Sequence, residues 1–181
     1  MDKIDKLSDN LPKTEKSIES AFNDCLKEKR IIEKIKTFIE VPREKHKDYV
    51  DSALKALYAA KILLDNENFE WVIVPAYSAM FQAGNALLIK ESGKECRDHF
   101  CLLVSLLKLK KIDSKNIDAV AEIKDKLDRI SDDSISFASK LRLVRSAVIY
   151  KPSPEYNEKI IAQDVFNKSQ EFVNTILGVL K

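Results

Sequence analysis

The stretch FEWVIVPAYSAMFQAGNALLI, residues 69–89, constrains this chain more than any other. Its apolar residues fall on every side of a helix instead of along one stripe. A helix of that kind is stable in water only when neighbouring elements cover it all round. The rest of the chain must supply those neighbours, and its hydrophobic period says they are helices. Ile18, Phe22, Cys25, Ile32, Ile35 and Ile39 recur at helical spacing and predict one long amphipathic helix beginning at Pro12. Pro42 in EVPRE ends or interrupts it.

A second helix is expected over 44–65, with Tyr49, Val50, Ala53, Leu57, Ala60 and Leu64 on one face. DNEN turns the chain into the central helix, 68–92, where Pro75 predicts a kink or a late start and Gly93 a C-terminal cap. Further helices are expected over 96–109, 115–130, 134–150 and 157–180. No alternating run of strand length competes with them. The fold class is all-α, an antiparallel bundle over 43–181 with a helical extension over 1–42 that either packs on the bundle or stands off it.

Composition narrows function mainly by exclusion. Thirty-one basic and 29 acidic residues leave a net charge of +2, so any nucleic-acid binding has to be local. The three glycines, Gly84, Gly93 and Gly178, are too far apart for a dinucleotide-binding or P-loop turn. Two histidines, His46 and His99, rule out an H-E-x-x-H zinc site. Cys96 and His99 are three apart, but two ligands do not make a metal site, and neither metal nor cofactor is expected.

Cys25, Cys96 and Cys101 are odd in number and not in paired-pair spacing, which reads as reduced thiols in a cytoplasmic protein. The N-terminus lacks the apolar core of a signal peptide, and no run approaches the roughly 20 residues of a membrane span. Lysine (25) far outnumbers arginine (6), a prokaryotic style of usage.

The candidate site lies in KLRLVRSAVIYKPSPEY, residues 140–156. Arg142 and Arg145 are three apart and share a helix face, and a guanidinium fork binds phosphate oxygens bidentately. Tyr150 follows Arg145 by five residues, about 140° around an ideal helix. The two converge only if the helix ends at Tyr150, as KPSP encourages, or if a second subunit completes the cleft. The blander readings are an ion pair from Arg145 to Asp125 or Asp128, a solvated face for Arg142, and packing for Tyr150. His99 reads as a part-buried, hydrogen-bonded histidine, and Tyr77, Met80 and Phe81 as core. KLKKIDSK reads as a solvated charge run.

In order along the chain, KHKDYVDSALKALYAAKILLDNENFEWVIVPAYSAMFQAGNALLI, HFCLLVSLL, RSAVIY and IIAQDVFNKSQEFVNTI resemble the HEPN family (higher eukaryotes and prokaryotes nucleotide-binding) over roughly 45–178. The fit is close at Ala76, Tyr77, Ala79, Met80, Phe81, Leu87 and Leu88. The resemblance implies a homodimer formed through the helices that carry the family's R-x4-6-H segment. It implies either metal-independent ribonuclease activity, often as a toxin beside a nucleotidyltransferase antitoxin, or nucleotide or RNA binding without cutting.

Carried over by position, Arg145 is the phosphate stabiliser, Tyr150 stands where the family keeps its histidine, and His99 opens the short third helix. A tyrosine, with an ordinary pKa of about 10, is a poor base at neutral pH. The leading expectation is therefore a binding module with weak or no catalysis. A ribonuclease toxin, with His99 or Tyr150 as replacement base, and a purely structural oligomerisation protein are the alternatives.

Overall fold

The computed structural model describes residues 6–27, 36–131 and 158–181. The centre is α4 (Ile73–Ser92), twelve of whose twenty residues are buried. α3 (His46–Asp65), α5 (His99–Leu109), α6 (Ser114–Ser131) and α7 (Glu158–Val179) all pack against it, as its all-round apolarity requires. Met80, Leu87 and Ile89 from α4 share the core with Leu102, Leu103, Ile117, Ile123, Phe172 and Ile176, all fully buried. By length and composition Phe69–Ser92 could cross a membrane, contrary to the sequence reading that no run comes close. Here 72% of its apolar window is buried inside the bundle, so its apolarity serves the core.

Pro75 produces the late start and not the kink. A 3-10 turn, Phe69–Trp71, precedes α4, and Pro75 sits in the first turn, where a missing N–H breaks no intrahelical bond. At the other end Gly93 caps the helix at φ 70°, its N–H reaching the Ile89 carbonyl at 2.8 Å. A Cβ there would meet the Val41 carbonyl at an ordinary 3.5 Å, so the cost of Gly93→Ala is conformational. That substitution should lower stability by about 1 kcal/mol, read from the urea midpoint at unchanged slope.

The N-terminal region departs from expectation. The helix there, α2, spans Glu15–Lys27, preceded by one short turn, α1 (Leu7–Asn10). Phe38–Glu40 is a strand, β1, paired antiparallel with β2 (Lys94–Cys96) in the register Phe38↔Cys96, Ile39↔Glu95, Glu40↔Lys94. Thr37, Phe38, Ile39 and Val41 are β-branched or aromatic and run into Pro42, which favours extension over helix. On the opposite strand, Gly93 has just ended α4, and Asp98 delays the next helix by capping α5, its carboxylate accepting the Cys101 N–H at 3.0 Å.

Of the two placements left open for the N-terminal region, packing on the bundle is the one found. The Asp125 carboxylate, on α6, accepts the Leu7 N–H at 2.6 Å, the Ser8 N–H at 3.1 Å and the Ser8 hydroxyl. Asp125 is thereby bonded to α1, and Asp128 is ion-paired to Lys124; Arg145, for which both were considered, lies outside the described residues. Leu11 is buried behind α1. Thr14 and Ser17 cap α2 reciprocally, each hydroxyl accepting the other's backbone N–H.

Along α5, Lys108 pairs with Glu19 at 2.9 Å and lies 4.1 Å from the centre of the Phe22 ring, while Lys110 pairs with Glu15. Cys25 and Cys101 form a disulfide with Cα atoms 5.7 Å apart, linking positions 76 apart in sequence. The expectation of three reduced thiols is therefore corrected. Only Cys96 is a free thiol, and it is buried.

Candidate functional site

Tyr77, Phe81 and Asn85 follow one another at four-residue spacing along α4, so they stack on one face. That face meets β2 and the first turn of α5. Asn85 is fully buried, with its Oδ1 accepting the Cys96 N–H at 2.8 Å and its Nδ2 donating to the Cys96 carbonyl at 3.1 Å. The side chain thus pairs with Cys96 as a neighbouring strand would, and pins β2 against α4.

One turn along, the Tyr77 hydroxyl lies 2.7 Å from His99 Nδ1. The His99 ring sits against both aromatics, with centroids 4.8 Å from Phe81 and 5.5 Å from Tyr77. Burial, and secondarily the charges of Asp128 and Asp98, push the Tyr77 hydroxyl well above its ordinary pKa, so it remains a phenol. A phenol donates to Nδ1 of a neutral imidazole and accepts from Nδ1–H of a charged one, so the contact holds the ring in place in either state. His99 is the part-buried, hydrogen-bonded histidine that the sequence suggested, and Tyr77, besides packing, orients it.

The segment carrying His99 is tethered on both sides by the N-terminal region. Two residues before it, the Arg97 N–H donates to the Thr37 carbonyl at 2.9 Å. Two residues after it, Cys101 is bonded to Cys25. Cys96 belongs to β2 and His99 to α5, so they do not share a helix face as a metal pair would. Among the described residues no group of three or more His, Cys, Asp or Glu is placed to hold a metal ion.

Next to this cluster is an open cleft of about 390 Å³ between α3, α4 and β2, lined by Asp48, Tyr49, Gln82, Asn85, Glu95 and Arg97 among others. Burial and a hydrogen bond with Glu95 raise Tyr49 to about 12, and Arg97 pairs with Glu95 at 3.3 Å. The lining can offer hydroxyl, amide, carboxylate and guanidinium groups to a polar ligand. Of these residues the sequence reading named only Tyr49, on the apolar face of α3, and gave none of them a site role. The one available signal was Asn85, an uncharged polar residue in an otherwise apolar helix, since such a group stays buried only when fully hydrogen-bonded.

Arg142, Arg145 and Tyr150, the remaining candidate site residues, lie outside the described residues, as does the helix expected over 134–150. In sequence comparison the HEPN domain profile matches residues 46–179. No curated protein and no solved structure matches the chain.

Proposed function

Because the chain belongs to the HEPN domain family, we propose that it is a nucleotide- or RNA-binding module with weak or no catalysis, acting through an arginine-lined groove of a homodimer. Arg142 and Arg145 would grip phosphate oxygens through their planar forks, and Tyr150 would stack on a base or donate from its hydroxyl. The observation that carries this reading is the family match, which spans the positions of all three.

The tyrosine at position 150, where the family keeps its histidine, favours binding over cutting. A general base must reach the 2′-hydroxyl proton and titrate near working pH. His99 has its Nδ1 engaged by Tyr77 and its ring against two aromatics, the environment of a positioned group. Position 150 holds a tyrosine, a residue type with an ordinary pKa of about 10 and so a poor base at neutral pH.

Filter binding of single-stranded RNA and of free nucleotide across a salt series tests the groove. Arg142→Ala/Arg145→Ala should bind at least about tenfold more weakly, with the RNA salt slope shallower by up to about 2.8, because the two subunits together neutralise four fewer phosphates. Equal affinity and slope in the two proteins would end the groove reading. In parallel, RNA cleavage by the wild type and by Arg145→Ala should run at the same background rate. Cleavage that disappears with Arg145 would instead make the protein one of the family's ribonucleases.

A further inference from the structure

The outer face of α3 carries a line of exposed apolar side chains. Leu54, Tyr58 and Ile62 are 43%, 68% and 43% exposed, and their spacing stacks them in one stripe. Single exposed apolar residues are ordinary, but a contiguous line of them asks for a partner. The opposite side of α3, with Ala53, Ala60 and Leu64, is buried in the bundle, so the stripe points away from it.

The sequence of this face is nearly the same read in either direction from Tyr58. Lys55 and Lys61 lie three residues away, Leu54 and Ile62 four, and Asp51 and Asp65 seven. At 100° per residue all six project within about 60° of Tyr58. All six are exposed.

We propose that this face is a self-association surface, on which α3 of a second copy packs antiparallel with the two-fold axis at Tyr58. A two-fold interface requires that residue i meet j while j meets i. A helix face symmetric about one residue satisfies that by its sequence alone. Tyr58 meets Tyr58 of the second copy on the axis, and Leu54 meets Ile62 across it.

The charges fit the same arrangement. Lys55 and Lys61 flank the stripe on opposite sides, so at equal height the two lysines facing each other are kept apart by the apolar seam. Each lysine lies within about one turn of an acid of the other copy, Lys55 of Asp65 and Lys61 of Asp51. A parallel arrangement would instead set Lys55 against Lys55 and Asp65 against Asp65. Four turns of one helix cover less than the roughly 800 Å² per partner of a standard interface, so the association is weak and appears toward about 0.1–1 mM protein. It is independent of the arginine groove, and Arg142→Ala/Arg145→Ala leaves it unchanged.

Sedimentation velocity of the full chain up to about 1 mM tests the surface. The wild-type weight-average mass should rise with concentration, and Tyr58→Glu, which sets two carboxylates against each other on the axis, should remove most of that rise, holding the mass at the top of the range to no more than about 70% of the wild-type value. A wild-type mass that does not rise, or a rise that Tyr58→Glu leaves intact, overturns the proposal.

Cross-linking supplies a second readout that does not depend on that variant. With diamide accepting the two electrons and two protons released by two thiols, Tyr58→Cys should form a covalent dimer at least about tenfold faster than Lys115→Cys, an exposed position on α6. Leu54→Cys should cross-link poorly alone and readily when mixed with Ile62→Cys. Equal rates at positions 58 and 115, or self-linking of Leu54→Cys as fast as its linking to Ile62→Cys, overturns the two-fold axis at Tyr58.

Discussion

Reduction of the Cys25–Cys101 bond should destabilise the protein by about 4.5 kcal/mol, the chain-entropy value for a closed loop of this length. In a chain of this size that is a fall of roughly 10 °C in Tm. Urea unfolding with and without a thiol reductant measures it. Cys25→Ala/Cys101→Ala should resemble the reduced wild type and be indifferent to reductant. An identical midpoint for wild type in both buffers would mean that the two sulfurs are not bonded.

The consequence should also be local. The bond enters α5 two residues past His99, and the Arg97–Thr37 hydrogen bond holds the chain two residues before it. Amide exchange over 97–101 should therefore rise on reduction more than exchange in α7, which lies outside the loop that the bond closes.

Asn85→Ala should cost about 3 kcal/mol. The substitution strands both the N–H and the C=O of Cys96, a residue with no exposed surface, and each unsatisfied buried group costs about 1–3 kcal/mol. A small apolar side chain cannot replace either bond. Asn85→Asp keeps the acceptor but buries a charge opposite a carbonyl, and should be at least as damaging. Urea midpoints compare the three proteins. A loss below about 1 kcal/mol for Asn85→Ala would mean that water takes over both bonds. Because Asn85 and Cys96 both line the cleft, the variant should also disturb Tyr49 and Glu95, visible as a changed near-ultraviolet spectrum.

Much of the bundle was legible from residues close together in the chain. The burial of α4 follows from apolar side chains on all its faces, its late start from Pro75, and its end from Gly93, whose φ of 70° suits glycine. The bounds of α3, α6 and α7 follow the 3.6-residue period closely. The β1–β2 pair was not legible, because strands of three residues carry no period and their partners lie more than fifty positions apart. The helical spacing of the isoleucines then misled, since Ile39 belongs to the strand.

The candidate site divides along the same line. His99 was visible as the opening residue of a short helix, and Tyr77 as part of the core. Nothing local indicated that the Tyr77 hydroxyl would reach His99 Nδ1, or that Cys101 would meet Cys25. Asn85 went unremarked in its apolar helix, and its partner became identifiable only once β2 was laid against α4.

By itself the sequence determined that the chain is a helical bundle built on one buried helix, and which family it belongs to. Both depend on patterns of packing residues that recur every turn. Only the tertiary structure decided how the N-terminal region is used. It is bonded to α5, paired with β2 and hydrogen-bonded to Asp125, so that it holds the segment around His99 from both sides. Those contacts join single atoms on elements distant in sequence. Their formation depends on how the helices stack, which no periodicity along one helix encodes.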